Sequence, residues 1–397
     1  MDRREFLTTA AAAVLVTDLA RAQRGAAQAP AQGDAPAPAG RGGRGGGARG
    51  QAAPEPPPDP ALVAKAHGTW CMYSRHLQWV STQAETVSDP LGVGVKIGER
   101  AKQIGVAAVN LTVRRGGHVD MATAATCLPK MLQGIRSTGV ICDTMTPDIS
   151  PSADPNNVEW LAMQRVDETL ALASANGIRR YRIGGGGSYP PNSYGKAITQ
   201  FLDGWRVNME KLGAINQKHN TQAIFHTQGA MGMALWDLMY VWRNIDPKYV
   251  GFNYCVGHVV QNSSATGATS MYANNIRYIF PYLACIALQD FAWRSNADGT
   301  VSGGTPQSGK GMVNWPVFFK LLRDGGYSGL FDTQEEYQTT GADGSNVSMN
   351  AAWFADNAVF TSGRMTPALA VAAMKNDMDY YKSAAKEAGW TAAQLTP

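Results

Sequence analysis

The sequence predicts an α/β chain folded as a (β/α)8 barrel, a TIM barrel, preceded by a signal peptide and a disordered linker. Three observations carry this expectation. First, eight short apolar runs recur from residue 68 onward, at 68–80, 105–119, 139–149, 177–187, 221–230, 249–260, 282–293 and 327–337. Second, helical stretches separate them, such as VEWLAMQRVDETLALASANG at 158–177 and AITQFLDGWRVNMEKLGAINQKHN at 197–220, with apolar residues at spacings of three and four and a terminal Gly or Asn. Third, the runs are nearly continuous in apolar residues, as strands of a parallel sheet covered on both faces are. Eight such regular units favour a closed barrel over an open, doubly wound sheet.

Ahead of the barrel, residues 1–22 pair Arg3 and Arg4 with Phe6 and Leu7, continue through a short apolar stretch and end on Ala20-Arg21-Ala22. This pattern resembles a twin-arginine export signal, with a small-x-small cleavage site. Its apolar core is too short to span a hydrocarbon layer of about 30 Å, and no later stretch approaches the roughly 20 apolar residues that a membrane helix needs. A soluble, periplasmic mature protein without a stable membrane anchor is expected. Residues 23–60 are rich in Ala, Pro, Gly and Arg, with almost no larger apolar side chain, and read as a disordered tether. Residues 61–397 remain for one barrel domain, a normal size for this architecture.

The net charge of +4 is small, and no Lys/Arg block occurs beyond the tether, which argues against a nucleic-acid partner. The five cysteines are odd in number and form no CxxC pair; four lie in strand-like runs and read as small core residues rather than a disulfide frame.

In barrels of this kind active sites gather at the C-terminal ends of the strands, so the polar residues that close each run are the candidates. They are Arg75, His76 and Gln78; Thr112, Arg114 and His118; Asp143, Thr146 and Asp148; Arg182; His226 and Gln228; His258; Gln289 and Asp290; and Gln334, Glu335 and Glu336. Four of the chain's six histidines are in this set.

The segments SRHLQW at 74–79, NLTVRRGGHV at 110–119, FHTQG at 225–229, VGFNYCVGH at 250–258, LQDFAW at 288–293 and GKGMVNWPVFFKLLRDGGYSGLFDTQEEY at 309–337 resemble the sugar phosphate isomerase/epimerase family, of the xylose-isomerase-like barrel superfamily. The resemblance spans the whole barrel domain. It implies a divalent metal (Mn, Mg, Co or Zn) held by a Glu on the fifth strand, an Asp on the sixth, a His on the seventh and a Glu on the eighth. Such a cation fixes two adjacent sugar oxygens and acidifies the C–H between them. This chain departs from the pattern. The fifth strand offers His226 and Gln228, the sixth has Cys255 in place of the aspartate but keeps His258, the seventh has Ala287 and Gln289, and the eighth has Gln334 and Glu336. The resemblance therefore implies a weakened metal site of His226, His258 and Glu336, completed by Gln228, Gln334 or water.

Strand alternation puts His226 with Gln228, and Gln334 with Glu336, on the axial face, and points Glu335 away, toward a neighbouring helix in the outer wall. Glu336, His226 and His118 are the candidate acid and base groups; His118, after Gly116 and Gly117, is either a substrate contact or a loop histidine. Arg114 and Arg182 are placed to bind an anionic group bidentately, or to pair with Asp143 or Asp148. His76, His258, Gln228, Gln334 and Trp293 complete the expected substrate-binding set. Trp79 and Trp315 are alternatives for stacking on a sugar, Gly184–Gly187 for cradling a phosphate, and Asp290 for supporting a ligand or capping a loop.

These features point to an exported carbohydrate-active enzyme that removes a proton next to a carbonyl: an isomerase or epimerase, or a lyase or hydrolase of keto-glycosides. A non-catalytic sugar-binding barrel with a degenerate metal site is the competing class.

Overall fold

The computed structural model describes residues 56–152, 159–184, 189, 194–229, 234–260, 271–349 and 358–395. The expected leader, nearly all of the tether and residues 185–187 of the glycine run lie outside these. The compact unit spans Pro57–Pro397.

Each of the eight apolar runs supplies one barrel strand: β1 (His67–Tyr73), β2 (Ala108–Val113), β3 (Ile141–Pro147), β4 (Arg180–Ile183), β5 (Gln222–His226), β6 (Val250–Cys255), β7 (Leu283–Leu288) and β10 (Ser328–Thr333). They close in the order β1-β10-β7-β6-β5-β4-β3-β2, and every neighbouring pair is parallel. The strands β2, β6 and β7 are buried along their whole length, which explains their unbroken apolar character. All five cysteines are buried and free; four sit in β1, β3, β6 and β7, and Cys127 lies in the helix Ala124–Ser137.

Helices cover the barrel, and their ends follow from sequence. In Pro90–Ile104, Asp89 caps the N-terminus by accepting the Gly92 N–H, Pro90 occupies the first turn, and Gly105 ends the helix at φ 93°. This helix approaches Ala124–Ser137 closely because both carry a glycine at the contact. A Cβ on Gly94 would lie 2.3 Å from the Met131 carbonyl oxygen, and one on Gly134 would lie 2.2 Å from that of Leu91. Among the described residues, no helix is long and apolar enough to cross a membrane.

Inside the barrel a polar layer replaces part of the apolar core. Asn110 donates to the Asp332 carboxylate at 2.9 Å and accepts from the Thr146 hydroxyl at 2.9 Å. Burial raises the Asp332 carboxyl to about 6, against the opposing Asn110 hydrogen bond.

Two hairpins decorate the mouth: β8 (Ala292–Ser295) with β9 (Val301–Gly304), and β11 (Gln338–Thr340) with β12 (Asn346–Ser348). They follow β7 and β10, and the periodicity reading does not anticipate them, since their residues are mostly exposed and polar. Residues 292–293, read as part of the seventh run, belong to the first hairpin; β7 stops at Leu288.

Asp290 fixes the return from this hairpin. Its carboxylate accepts five N–H groups: the backbone of Phe291 at 2.8 Å, Gly309 at 3.0 Å, Gly311 at 3.1 Å and Val313 at 3.3 Å, and the Trp315 indole at 3.2 Å. Gly311 is required by this approach, because a Cβ there would lie 2.0 Å from the carboxylate. Of the two readings of Asp290, loop cap is the one the contacts support.

Candidate functional site at the C-terminal mouth of the barrel

Three side chains, from two adjacent strands and the short helix that follows the second, meet at the mouth. His226 is the last residue of β5, Cys255 the last of β6, and His258 stands one helical turn later in Val256–Val260. A separation of three residues returns Cys255 and His258 to the same face. One nitrogen from each ring and the Cys255 sulfur all lie within 4.8 Å of one another. The two imidazoles are nearly perpendicular, at 88°, with centroids 5.6 Å apart. The Nδ1 atoms of His226 and His258 are buried and have no hydrogen-bond partner.

The electrostatics keep this group neutral. Burial, then Arg182 and His258, push His226 well below the usual histidine range. His258 is lowered by burial, against the raising effect of Glu336. The Cys255 thiol is pushed up to about 12 by burial and donates to the Gln289 amide oxygen at 3.5 Å.

Gln289 connects this group to the cavity beside it. Its amide nitrogen donates to Glu336 at 2.9 Å, so a hydrogen-bonded path runs from Cys255 through Gln289 to the carboxylate. Glu336 and His258 line a cavity of about 340 Å³ with Gln289, Phe291, Trp293 and the hairpin residues Gly303, Gly304 and Thr305. Burial by itself would raise Glu336; His76 when protonated, the Gln289 hydrogen bond, His258 when protonated and Arg75 outweigh it and hold the carboxyl below its ordinary value. Trp293 is 52% exposed and presents its ring to this space, edge-on to Phe291.

A second basin of about 220 Å³ holds Arg75, Arg114, Arg182, Tyr73, Asp148 and Gln228. Arg182 lies 4.7 Å over the Tyr73 ring and reaches the Gln334 amide oxygen at 3.5 Å. Among the described residues, none of these three guanidiniums forms an ion pair, so the alternative in which Asp143 or Asp148 neutralises Arg114 and Arg182 is not seen; Asp143 pairs with Arg180 and Asp148 accepts the Arg115 N–H. Gln228 is exposed in this basin, away from the cavity of Glu336.

Several expected site residues are placed elsewhere. His118 is fully buried: the chain turns back at Gly116, and Nδ1 meets the hydroxyls of Thr112 at 2.9 Å and Ser74 at 3.1 Å. It locks the loop after β2 to the segment after β1 and has no surface for a substrate, which corrects the expectation that it acts as an acid or base. His76 is also buried; its Nε2 accepts the Glu335 N–H at 3.3 Å, so it anchors the end of β10 rather than a sugar. Glu335 is buried, at 2% exposed, within electrostatic reach of Asp377 in the helix Pro367–Glu387. Burial, with Asp377 adding to it, raises its carboxyl to about 8. The His76–Glu335 approach of 3.7 Å is therefore a contact between neutral groups, not an ion pair. Trp79 stacks on Phe360 and donates to the His76 carbonyl, and Trp315 is wholly buried on Asp290, which leaves Trp293 as the stacking candidate.

The metal set expected from the resemblance needs the same correction. A hard cation such as Mg or Mn favours carboxylate and water oxygens. Here Ala287 contributes no ligand, Glu336 stands one hydrogen-bonded residue away, and the group that converges is two imidazoles and a sulfur. The donors do not fit a carboxylate-based Mg or Mn centre. The sequence treats Cys255 as a lost ligand, whereas its sulfur joins the cluster; the Cys-x-x-His spacing at 255–258 was the available signal.

The closed eight-stranded parallel barrel with polar residues at its C-terminal mouth defines the class. A family profile described as xylose isomerase-like TIM barrel matches residues 99–355, and the chain belongs to that family. Among solved structures it is similar to a xylose isomerase-like TIM barrel protein from Mycobacterium smegmatis in complex with magnesium, at 14% identity over 81% of this chain and 99% of that one, TM-score 0.52. It is also similar to a D-tagatose 3-epimerase-like protein, at 11% identity over 81% and 100% of the two chains, TM-score 0.52. A third is D-allulose 3-epimerase from Methylomonas sp. in complex with D-allulose, at 10% identity over 80% and 97%, TM-score 0.52. No curated protein matches the sequence significantly. At these identities the likeness is one of fold.

Proposed function

We propose that this chain is a carbohydrate-active enzyme of the isomerase/epimerase kind, removing a proton next to a carbonyl of a free sugar or keto-glycoside. The observation that carries the reading is Glu336: a carboxylate held in its charged form, hydrogen-bonded by Gln289 and facing a cavity of sugar size beside His258. A carboxylate that stays ionised in a half-buried pocket is available as a base throughout the neutral range. Neutral His258 can donate to or accept from the same substrate, and Trp293 offers an apolar face for a sugar ring. The unpaired arginines of the second basin suit a carboxylate or another anionic substituent.

Export rests on the Arg3-Arg4 leader, and a periplasmic location favours unphosphorylated substrates. Five buried, unpaired cysteines are compatible with a chain that folds without oxidation. Replacing Arg3 and Arg4 with Lys should retain a tagged protein in the cytoplasmic fraction; undiminished export would remove this part of the proposal.

The test of activity is solvent-deuterium incorporation into ketoses, uronates and keto-glycosides, with Glu336→Gln as the control. Exchange abolished by Glu336→Gln supports the reading. Exchange that persists in Glu336→Gln refutes the assigned base. Sugar binding with no exchange and no bond cleavage would instead establish a non-catalytic binding barrel, the class favoured by the replacement of two family-type ligands with Cys255 and Ala287.

A further inference from the structure

We propose that His226, Cys255 and His258 form a zinc site of two imidazoles and one thiolate, with a fourth position open toward the cavity of Glu336. The proposal goes beyond the catalytic reading and does not require it, since metal binding is measured without substrate.

Four observations converge. The three donor atoms already lie within 4.8 Å of one another, and a tetrahedral Zn²⁺ with bonds of roughly 2.0–2.3 Å would draw them together by about an ångström. His226 is 1% exposed, and its Nδ1, like that of His258, is buried with no partner. Leaving such groups unmatched is unfavourable unless something completes them. The donors come from rigid places: two strand ends and one turn of helix directly after β6. Finally, the chemistry is selective. Thiolate and imidazole suit Zn²⁺, whereas Mg²⁺ and Mn²⁺ prefer oxygen donors.

The charge balance also explains the sulfur. Arg182 lies within electrostatic reach of all three side chains and opposes a dication. A thiolate contributes the negative charge that a third neutral ligand would not. On binding, the Cys255 S–H bond breaks, its proton leaves to solvent, and the sulfur lone pair forms the bond to the metal. The thiol gives up its hydrogen bond to Gln289, which keeps its other bond, to Glu336.

The experiment uses chelator-treated, full-length protein titrated with Zn²⁺, Co²⁺, Mg²⁺ and Mn²⁺. One equivalent of Zn²⁺ is expected, bound far more tightly than Mg²⁺ or Mn²⁺. The Co²⁺ adduct of the wild type should show the intense visible bands of a tetrahedral ion and a sulfur-to-cobalt charge-transfer band in the near ultraviolet, a readout that needs no variant. Cys255→Ser should remove that band and weaken Zn²⁺ by more than about a hundredfold, since even residues that only support a metal ligand are worth roughly 10 to 100-fold. Glu336→Gln should keep both stoichiometry and band. Absence of stoichiometric binding, a Co²⁺ spectrum without the sulfur band, or loss of metal in Glu336→Gln but not in Cys255→Ser would each overturn the proposal. Absence of deuterium exchange in the metal-loaded wild type would overturn the catalytic reading alone.

Discussion

Asp290 allows the sharpest test of how the mouth is built. In Asp290→Ala, five N–H donors lose their acceptor, three of them in fully buried hydrogen bonds: Phe291, Val313 and the Trp315 indole. At about 1–3 kcal/mol for each buried donor left unmatched, the sum lies between about 3 and 9 kcal/mol, and the lower half applies because the loop can open locally and admit water. Asp290→Asn is the finer probe. Turned one way, its amide oxygen keeps the Gly309, Gly311 and Trp315 donors but sets its NH₂ against the Phe291 and Val313 N–H groups; turned the other way it reverses the conflict. A loss of about 2–4 kcal/mol is therefore expected for Asn in equilibrium urea unfolding followed by tryptophan fluorescence. Limited proteolysis should open new cuts in residues 305–312, whose first residue, Thr305, lines the cavity beside Glu336. An Asn variant within about 0.5 kcal/mol of wild type, the ordinary scatter of surface changes, would refute the idea that this carboxylate organises the loop.

Other perturbations have equally definite outcomes. Gly134→Ala places a Cβ against backbone atoms of Leu91, Val95 and Gly94, and should cost more than about 3 kcal/mol, seen as a lowered Tm; a neutral effect would contradict the helix contact. His118 is lowered from 6.5 to about 4 by burial, so below pH 6.5 the unfolded chain binds a proton that the folded one refuses. Stability should fall between pH 6.5 and 4, by roughly 2 kcal/mol at pH 5, and His118→Gln should remove that share of the pH dependence in denaturation midpoints. Glu335 has the opposite sign: its carboxyl is raised to about 8, so stability falls as the pH rises from 4.5 to 8. Glu335→Gln should stabilise the protein by about 4 kcal/mol at pH 8 and little at pH 4.5; equal effects at both would refute a buried, protonated acid.

The barrel was legible because its apolar runs are regularly spaced and separated by helical patterns, and Glu335 was told from Glu336 by strand alternation together with the family pattern, although β10 itself ends at Thr333. The hairpins were not, because short strands of Ser, Gly, Thr and Gln carry no periodic apolar signal. His118 was misplaced for a physical reason: two glycines ahead of it suggested an open loop, yet the positive φ at Gly116 turns the chain inward, and Val119 bonds back to Thr112. Cys255 was read against a carboxylate pattern and so counted as a loss. Asp290 and the GKGMVNWP segment were noticed separately, although the carboxylate binds the backbone of the segment; partners some twenty residues apart leave no local trace.

The closure of the barrel also constrains when it can form. β1 pairs with β2 on one side and β10 on the other, so Cys71 meets Asp332, Asn110 reaches the same carboxylate, and Gln394 bonds to Val63 only after almost the entire chain exists. With synthesis at about 5–20 residues per second, the edge of β1 waits on the order of ten to fifty seconds for its second neighbour. During that interval an exposed strand edge lies just behind the N-terminal segment. The β1–β10 seam is therefore where a truncated or stalled chain would be recognised as unfinished.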